Sequence, residues 1–111
     1  MILNLTPHTI NIFASMNAET PVLVLESCTK QGQSVPRCRQ ESVQVGTLDG
    51  IPVFDTHYSE VIDLPPRQDG VFLVVSRLVL EACPDRDDLL SPGTGIRDAE
   101  GRICGAFGLA R

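Results

Sequence analysis

The stretch "GVFLVVSRLVLEACP", residues 70–84, changes its periodicity halfway along, and that change decides the fold class. Val71 to Val75 form a short, continuous apolar run, the pattern of a strand buried on both faces. Ser76 then stands as a natural N-cap. Leu78, Val79 and Ala82 make a helical apolar face, Arg77 and Glu81 are spaced i,i+4 on the other face, and Pro84 ends the segment. A strand runs directly into a helix.

Upstream, the chain reads as short β segments. "MILNL" and "TINIF" are apolar and β-prone, with Pro7 denying the junction between them a backbone donor. "PVLVL" at 21–25 is a third segment, followed by the polar loop "SCTKQGQS". "VPRCR" and "SVQVG" alternate as strands do, and "TLDGIPVFDT" places Asp49-Gly50 between β-prone runs, a strong hairpin signal. Six short strands are expected before residue 56. Downstream, "PDRDDLLSPGTG" reads as loop and "IRDAEGRICGAFGLA" as a terminal hairpin. The expected class is α+β: small, mostly antiparallel sheet with one helix and a C-terminal hairpin. With 111 residues, no repeat and no linker (the rigid "LPPRQDG" is a connector), residues 1–111 are expected to form a single domain.

Composition narrows the function. A net charge of −5 opposes sequence-independent binding of DNA or RNA, so no nucleic acid polymer is expected as a partner. No apolar run reaches the ~20 residues of a membrane span, and "MILNLTPHTI" lacks the basic start of a signal peptide. A soluble, cytoplasmic protein without membrane partners is the expectation. The basic residues are eight arginines and a single Lys30. Arginine suits planar, bidentate recognition of one small anion, and genomic base composition produces the same bias. Cys28, Cys38, Cys83 and Cys104 include no C-x-x-C, so free thiols are expected, with Cys38 drawing notice because Arg37 and Arg39 flank it.

The terminal hairpin separates two of the arginines. If Ala99-Glu100-Gly101 is the three-residue loop, Asp98 closes it against Arg102, which then has a local carboxylate. Arg97 faces the opposite side, across from Ile103, and is the better anion candidate. The helix after Ser76 offers free N–H groups beside Arg77, whereas "SPGTGIR" opens onto a strand and is no phosphate loop. His8 and His57 are the only histidines. Asp55 and His57 share a strand face, which permits base chemistry and equally a surface pair; no nucleophile or metal-ligand spacing accompanies them. Neither a metal nor a cofactor is expected.

"NLTPHTINI", "YSEVIDLP", "GVFLVVSRLV", "PDRDDLLSPG" and "IRDAEGRICG" together span most of the chain, and in them it resembles a widespread group of small bacteriophage and prophage proteins. The characterised family it resembles is the first anti-Thoeris sponge family. That resemblance implies a non-catalytic protein, working in the infected bacterial cytoplasm, that sequesters cyclic ADP-ribose isomers or cyclic oligonucleotides made as immune signals. It also implies a homo-oligomer, dimer or hexamer. Arg97 and Arg37 or Arg39 look like the family's phosphate arginines, Phe72 like its stacking residue and Asp85 like the polar residue facing ribose or base. Thr9 and Asn11 resemble positions near the family's separate cyclic-nucleotide pocket, and Arg102 contributes if its pair with Asp98 opens. Read on its own, Phe72 lies in a buried run and is expected in the core. Two rival readings stand beside the sponge. One is a nucleotide-degrading enzyme using His57 or His8, and the other a protein-binding inhibitor of a host protein.

Overall fold

The computed structural model describes residues 1–111. Its strands are β1 (Ile2–Asn4), β2 (Ile10–Phe13), β3 (Leu23–Leu25), β4 (Gln40–Leu48), β5 (Ile51–Tyr58), β6 (Phe72–Val74), β7 (Leu89–Arg97) and β8 (Ile103–Ala110); helix α1 is Arg77–Ala82. The strand-to-helix reading of 70–84 holds. Ser76 Oγ accepts the Val79 N–H at 3.3 Å, and Arg77 Nε donates to Glu81 at 3.1 Å.

That unit organises a six-stranded sheet in the order β1-β6-β7-β8-β2-β3. β6 pairs parallel with β7, Leu73 opposite Leu89, because α1 carries the chain back over the sheet before the second strand begins. β1–β6 and β2–β8 are also parallel, whereas β7–β8 and β2–β3 are antiparallel. The sheet is therefore mixed, not mostly antiparallel. Alternation along β6 splits the core. Leu73 and Val75 pack with Leu5, Leu89 and Val79 of α1, while Val74 joins Ile12, Leu25 and Ala106 on the other face. Phe72, at the strand's start, is 38% exposed, so it lies outside the core.

Three other expectations change. "VPRCR" forms no strand: only a single bridge ties Arg37 to Ile62, leaving five strands before residue 56. "LLSPGTG" is strand, not loop. Gly93 serves close approach, since a Cβ there would stand 2.2 Å from the Phe107 carbonyl oxygen. "SCTKQGQS" contains a 3-10 turn, Cys28–Gln31, capped by Ser27.

The two edges of the sheet meet at Asn4. Its buried side-chain amide donates to His8 O at 2.8 Å and Leu25 O at 2.9 Å, and its Oδ1 accepts from Thr6 N at 2.9 Å and Thr6 Oγ1 at 2.6 Å. Ser27 Oγ donates to Thr6 O at 2.6 Å, and Asn4 and Ser27 form a parallel bridge. The "NLTPH" segment is thus a fully satisfied buried polar knot that draws β1 towards β3. A second, partly buried pair fastens the start of β7. Arg86 donates both Nε and Nη2 to Asp88 at 2.8 Å, and Nη2 also reaches Pro65 O at 3.0 Å. Arg86 holds the Asp88 carboxyl below its usual range.

β4 and β5 stand apart as a two-stranded arm, and each of their residues is exposed. The foreseen Asp49-Gly50 turn has φ of 51° and 80°, the two positive values of a type I′ turn. Pairing slips between Gln44 and Gly46, a bulge at Val45. The arm explains a radius of gyration of 16.9 Å where a compact chain of this length gives about 13 Å. No helix is long and apolar enough to cross a membrane.

Candidate functional site

Where the arm joins the sheet, the chain passes twice. The outgoing segment carries Arg37, Cys38 and Arg39, and the returning one carries Ser59, Glu60 and Ile62. Arg37 N donates to Ile62 O at 3.1 Å and Ile62 N to Arg37 O at 2.9 Å; Ser59 N donates to Arg39 O at 2.7 Å and Arg39 N to Ser59 Oγ at 2.6 Å. These bonds fix both arginine backbones. Between this base and α1 lies a groove of about 590 Å³, to which Ser76 and Val79 contribute the helix side. That volume is within the few hundred to about 1,000 Å³ of small-molecule sites.

The arginines divide by partner. Arg67 binds Asp87 at 2.6 Å and Asp69 at 3.3 Å, Arg77 binds Glu81, and Arg86 binds Asp88. Arg102 pairs with Asp98 at 3.6 Å and with Glu100, as the hairpin reading required, and Gly101 takes a φ of 83°. These guanidiniums are neutralised locally. Arg37 has no salt bridge, and Arg39, whose side chain is 83% exposed, meets Glu41 only at 3.9 Å. The groove therefore carries two cations without a close carboxylate, with Glu60 as its one acid.

Cys38 lies in the same groove, half-buried. Burial, and next the neighbouring Cys83, push its thiol up, so the flanking arginines do not activate it. All four cysteines are free. Tyr58, adjoining Ser59, gives its hydroxyl to Glu81 at 3.3 Å and is 39% exposed, leaving part of a ring surface next to the groove.

The remaining sequence candidates lie elsewhere. Arg97 faces Ile103 as expected, but its Nη1 donates to Gly101 O at 2.7 Å out at the hairpin end, and neither it nor Arg102 lines a groove. Phe72 borders a recess of only about 140 Å³ with Arg67 and Arg111. Asp85 is exposed on a third surface beside Pro84. Thr9 and Asn11 do come together, along a groove of about 320 Å³ with Ile10, Pro92 and Ile103; Thr9 donates to Glu26 at 3.3 Å and Asn11 to Cys104 O at 3.1 Å. His8 lines that groove and His57 stands on the arm, opposite Glu41. Of eight predicted ligand residues, only Arg37 with Arg39 and Thr9 with Asn11 are brought together. Ser59, Glu60 and Ser76 were not foreseen as site residues: the first two have no local signal, and Ser76 had already been read as a cap.

No protein-family model, curated protein or solved structure matches the chain. The reading of the site therefore rests on its own chemistry.

Proposed function

We propose that the protein is a non-catalytic sponge that binds and sequesters a nucleotide-derived immune signal, a cyclic ADP-ribose isomer or a cyclic oligonucleotide, in an infected bacterial cell. One observation carries this reading: Arg37 and Arg39 combine a groove of nucleotide size with two guanidiniums that no carboxylate neutralises closely. Arginine forks match phosphate oxygens bidentately. Ser59 and Ser76 hydroxyls and the Glu60 carboxylate suit ribose hydroxyls and base amino groups, and Tyr58 offers an aromatic surface for the purine. The fixed backbone at 37–39 lowers the ordering cost of binding.

Sequestration works by mass action, so released ligand is chemically intact. Thermal unfolding against a panel of cyclic ADP-ribose isomers and cyclic oligonucleotides tests the proposal. A ligand at 100 times its dissociation constant adds about 2.7 kcal/mol, a rise of several degrees in Tm. Arg37→Ala with Arg39→Ala abolishes that rise, and heat-released ligand keeps its mass. A changed mass indicates an enzyme instead, and no shift with any nucleotide defeats both readings and leaves the protein-binding inhibitor.

A further inference from the structure

The arm and its base, residues 36–62, form a nearly closed hydrogen-bond system. β4 pairs only with β5, Arg37 exchanges two bonds with Ile62, Arg39 and Ser59 each donate to the other, and the ion pair of Arg39 is with Glu41. One bond leaves this system. Tyr58, the last residue of β5, donates its hydroxyl to Glu81 Oε2 on α1 at 3.3 Å. Cys38 and Val61 also pack on the sheet's core, but apolar contact has no preferred direction, whereas a hydrogen bond does. The angle of the arm to the sheet therefore depends on Tyr58 and Glu81.

The acceptor is itself held in place. Glu81 Oε1 accepts from Arg77 Nε at 3.1 Å, and Arg77 Nη1 donates to the carbonyl of Arg111, just beyond β8, at 3.2 Å. Each oxygen of the Glu81 carboxylate thus has its own donor, one from its helix and one from the arm. The bond to Tyr58 also spans the same two parts of the molecule as the groove of about 590 Å³: Arg37 and Arg39 stand on the arm base, Ser76 and Val79 on the helix side.

We infer that Glu81 is a positioning residue of this groove: through Tyr58 it holds the wall that carries Arg37 and Arg39 at a fixed setting against α1. It touches no ligand itself. A ligand that reaches both walls finds them already placed, and without the bond it must order the arm as it binds. At 3.3 Å the contact is long for a hydroxyl and a carboxylate, so its loss weakens binding by about two- to tenfold and not more. The effect on affinity rests on the nucleotide reading of the groove; the hold on Tyr58 does not.

Tyr58 is the only tyrosine and the chain has no tryptophan, so phenolate absorbance and tyrosine fluorescence report this residue alone. Burial and then Glu81 push its phenol up, with Cys38 a weaker contributor, and Arg77 is the cation on the far side of Glu81. Glu81→Ala, at a side chain 47% exposed, should lower both the phenol titration and the fluorescence anisotropy with an unchanged circular dichroism spectrum. Glu81→Gln, which keeps an oxygen acceptor without the charge, should restore the anisotropy but only part of the titration. Calorimetric titration with cyclic ADP-ribose and with cyclic di-GMP supplies the second readout. Binding that Arg37→Ala with Arg39→Ala abolishes should weaken by about two- to tenfold in Glu81→Ala and recover in Glu81→Gln. Tyr58→Phe should reproduce the loss, and Glu81→Ala added to it should cost nothing more. Titration and anisotropy unchanged by Glu81→Ala overturn the proposal, as does an unchanged affinity at the arginine groove. If neither probe binds, the nucleotide reading fails for both ligands, and the tyrosine measurements alone decide the role of Glu81.

Discussion

The sheet around β6 and the β4–β5 arm are written in similar residues and meet opposite fates. "VFLVV" and "IPVF" are both short and apolar, and each contains valine and phenylalanine. Val74 and Val75 are fully buried, whereas Val53 and Phe54 are 41% and 56% exposed. The difference is cover. β6 has a helix on one face and the strands of the sheet's other segments on its second face, and the arm, apart from the Tyr58–Glu81 hydrogen bond at its base, has only its own two strands. β propensity and turn chemistry suffice to pair two strands, while burial needs a second layer.

Four predictions press on that contrast, the largest first. Arg86→Ala leaves the Asp88 carboxylate without its partner, and because the pair is only partly buried the cost in urea unfolding lies at the low end for buried pairs, about 3 kcal/mol. The pair also has a pH signature. The folded Asp88 pKa lies below its unfolded value of about 3.9, so its stabilisation is complete well above that value and disappears as pH falls through the folded pKa. Asp88→Asn should flatten the acid limb of the stability profile. An acid limb unchanged by the substitution would show that the pair contributes nothing to the sheet's cohesion.

Next, Leu89→Ala, at a side chain 1% exposed, should cost about 3 kcal/mol, and Leu48→Ala in the arm, at 68%, less than about 0.5 kcal/mol when measured in dilute, monomeric protein. Equal costs would mean that the arm packs on its own sheet in solution. Smaller still is a matched pair of glycine substitutions. Gly93→Ala forces a Cβ to 2.2 Å and 2.9 Å from two backbone carbonyl oxygens that cannot rotate away, at a cost of about 2 kcal/mol. Gly46→Ala meets nothing within 4 Å and should be neutral or stabilising by up to about 0.5 kcal/mol. Last, Arg102→Ala at the end of the β7–β8 hairpin should lower Tm by only a degree or two, because its ion pairs with Asp98 and Glu100 are solvent-exposed.

The same contrast explains what could be foreseen. The strand-cap-helix unit, the Asp49-Gly50 turn and the Asp98 to Arg102 hairpin each depend on residues within a few positions of one another, and all three formed as read. The parallel pairing of β6 with β7 was implicit in a helix lying between two strands, but "SPGTG" resembled loop because proline and glycine have two uses: they break strands and they let backbones approach. The role of "NLTPH" was hidden for a different reason. Asn4 earns its place through Leu25 and Ser27, more than twenty residues away. In the candidate site, Arg37 and Arg39 were visible as an arginine pair. Their availability was not, since it depends on which carboxylates the fold brings near each guanidinium.

By itself, then, the sequence determined the elements whose causes are local: caps, type I′ geometry and the hairpin closed by Asp98 and Arg102. Tertiary structure alone decided the rest. Which apolar strands are covered, which arginines stay unpaired, and which residues line one groove are set by contacts between distant segments, and short-range preferences carry no information about which distant surface will supply the second layer or the neutralising charge.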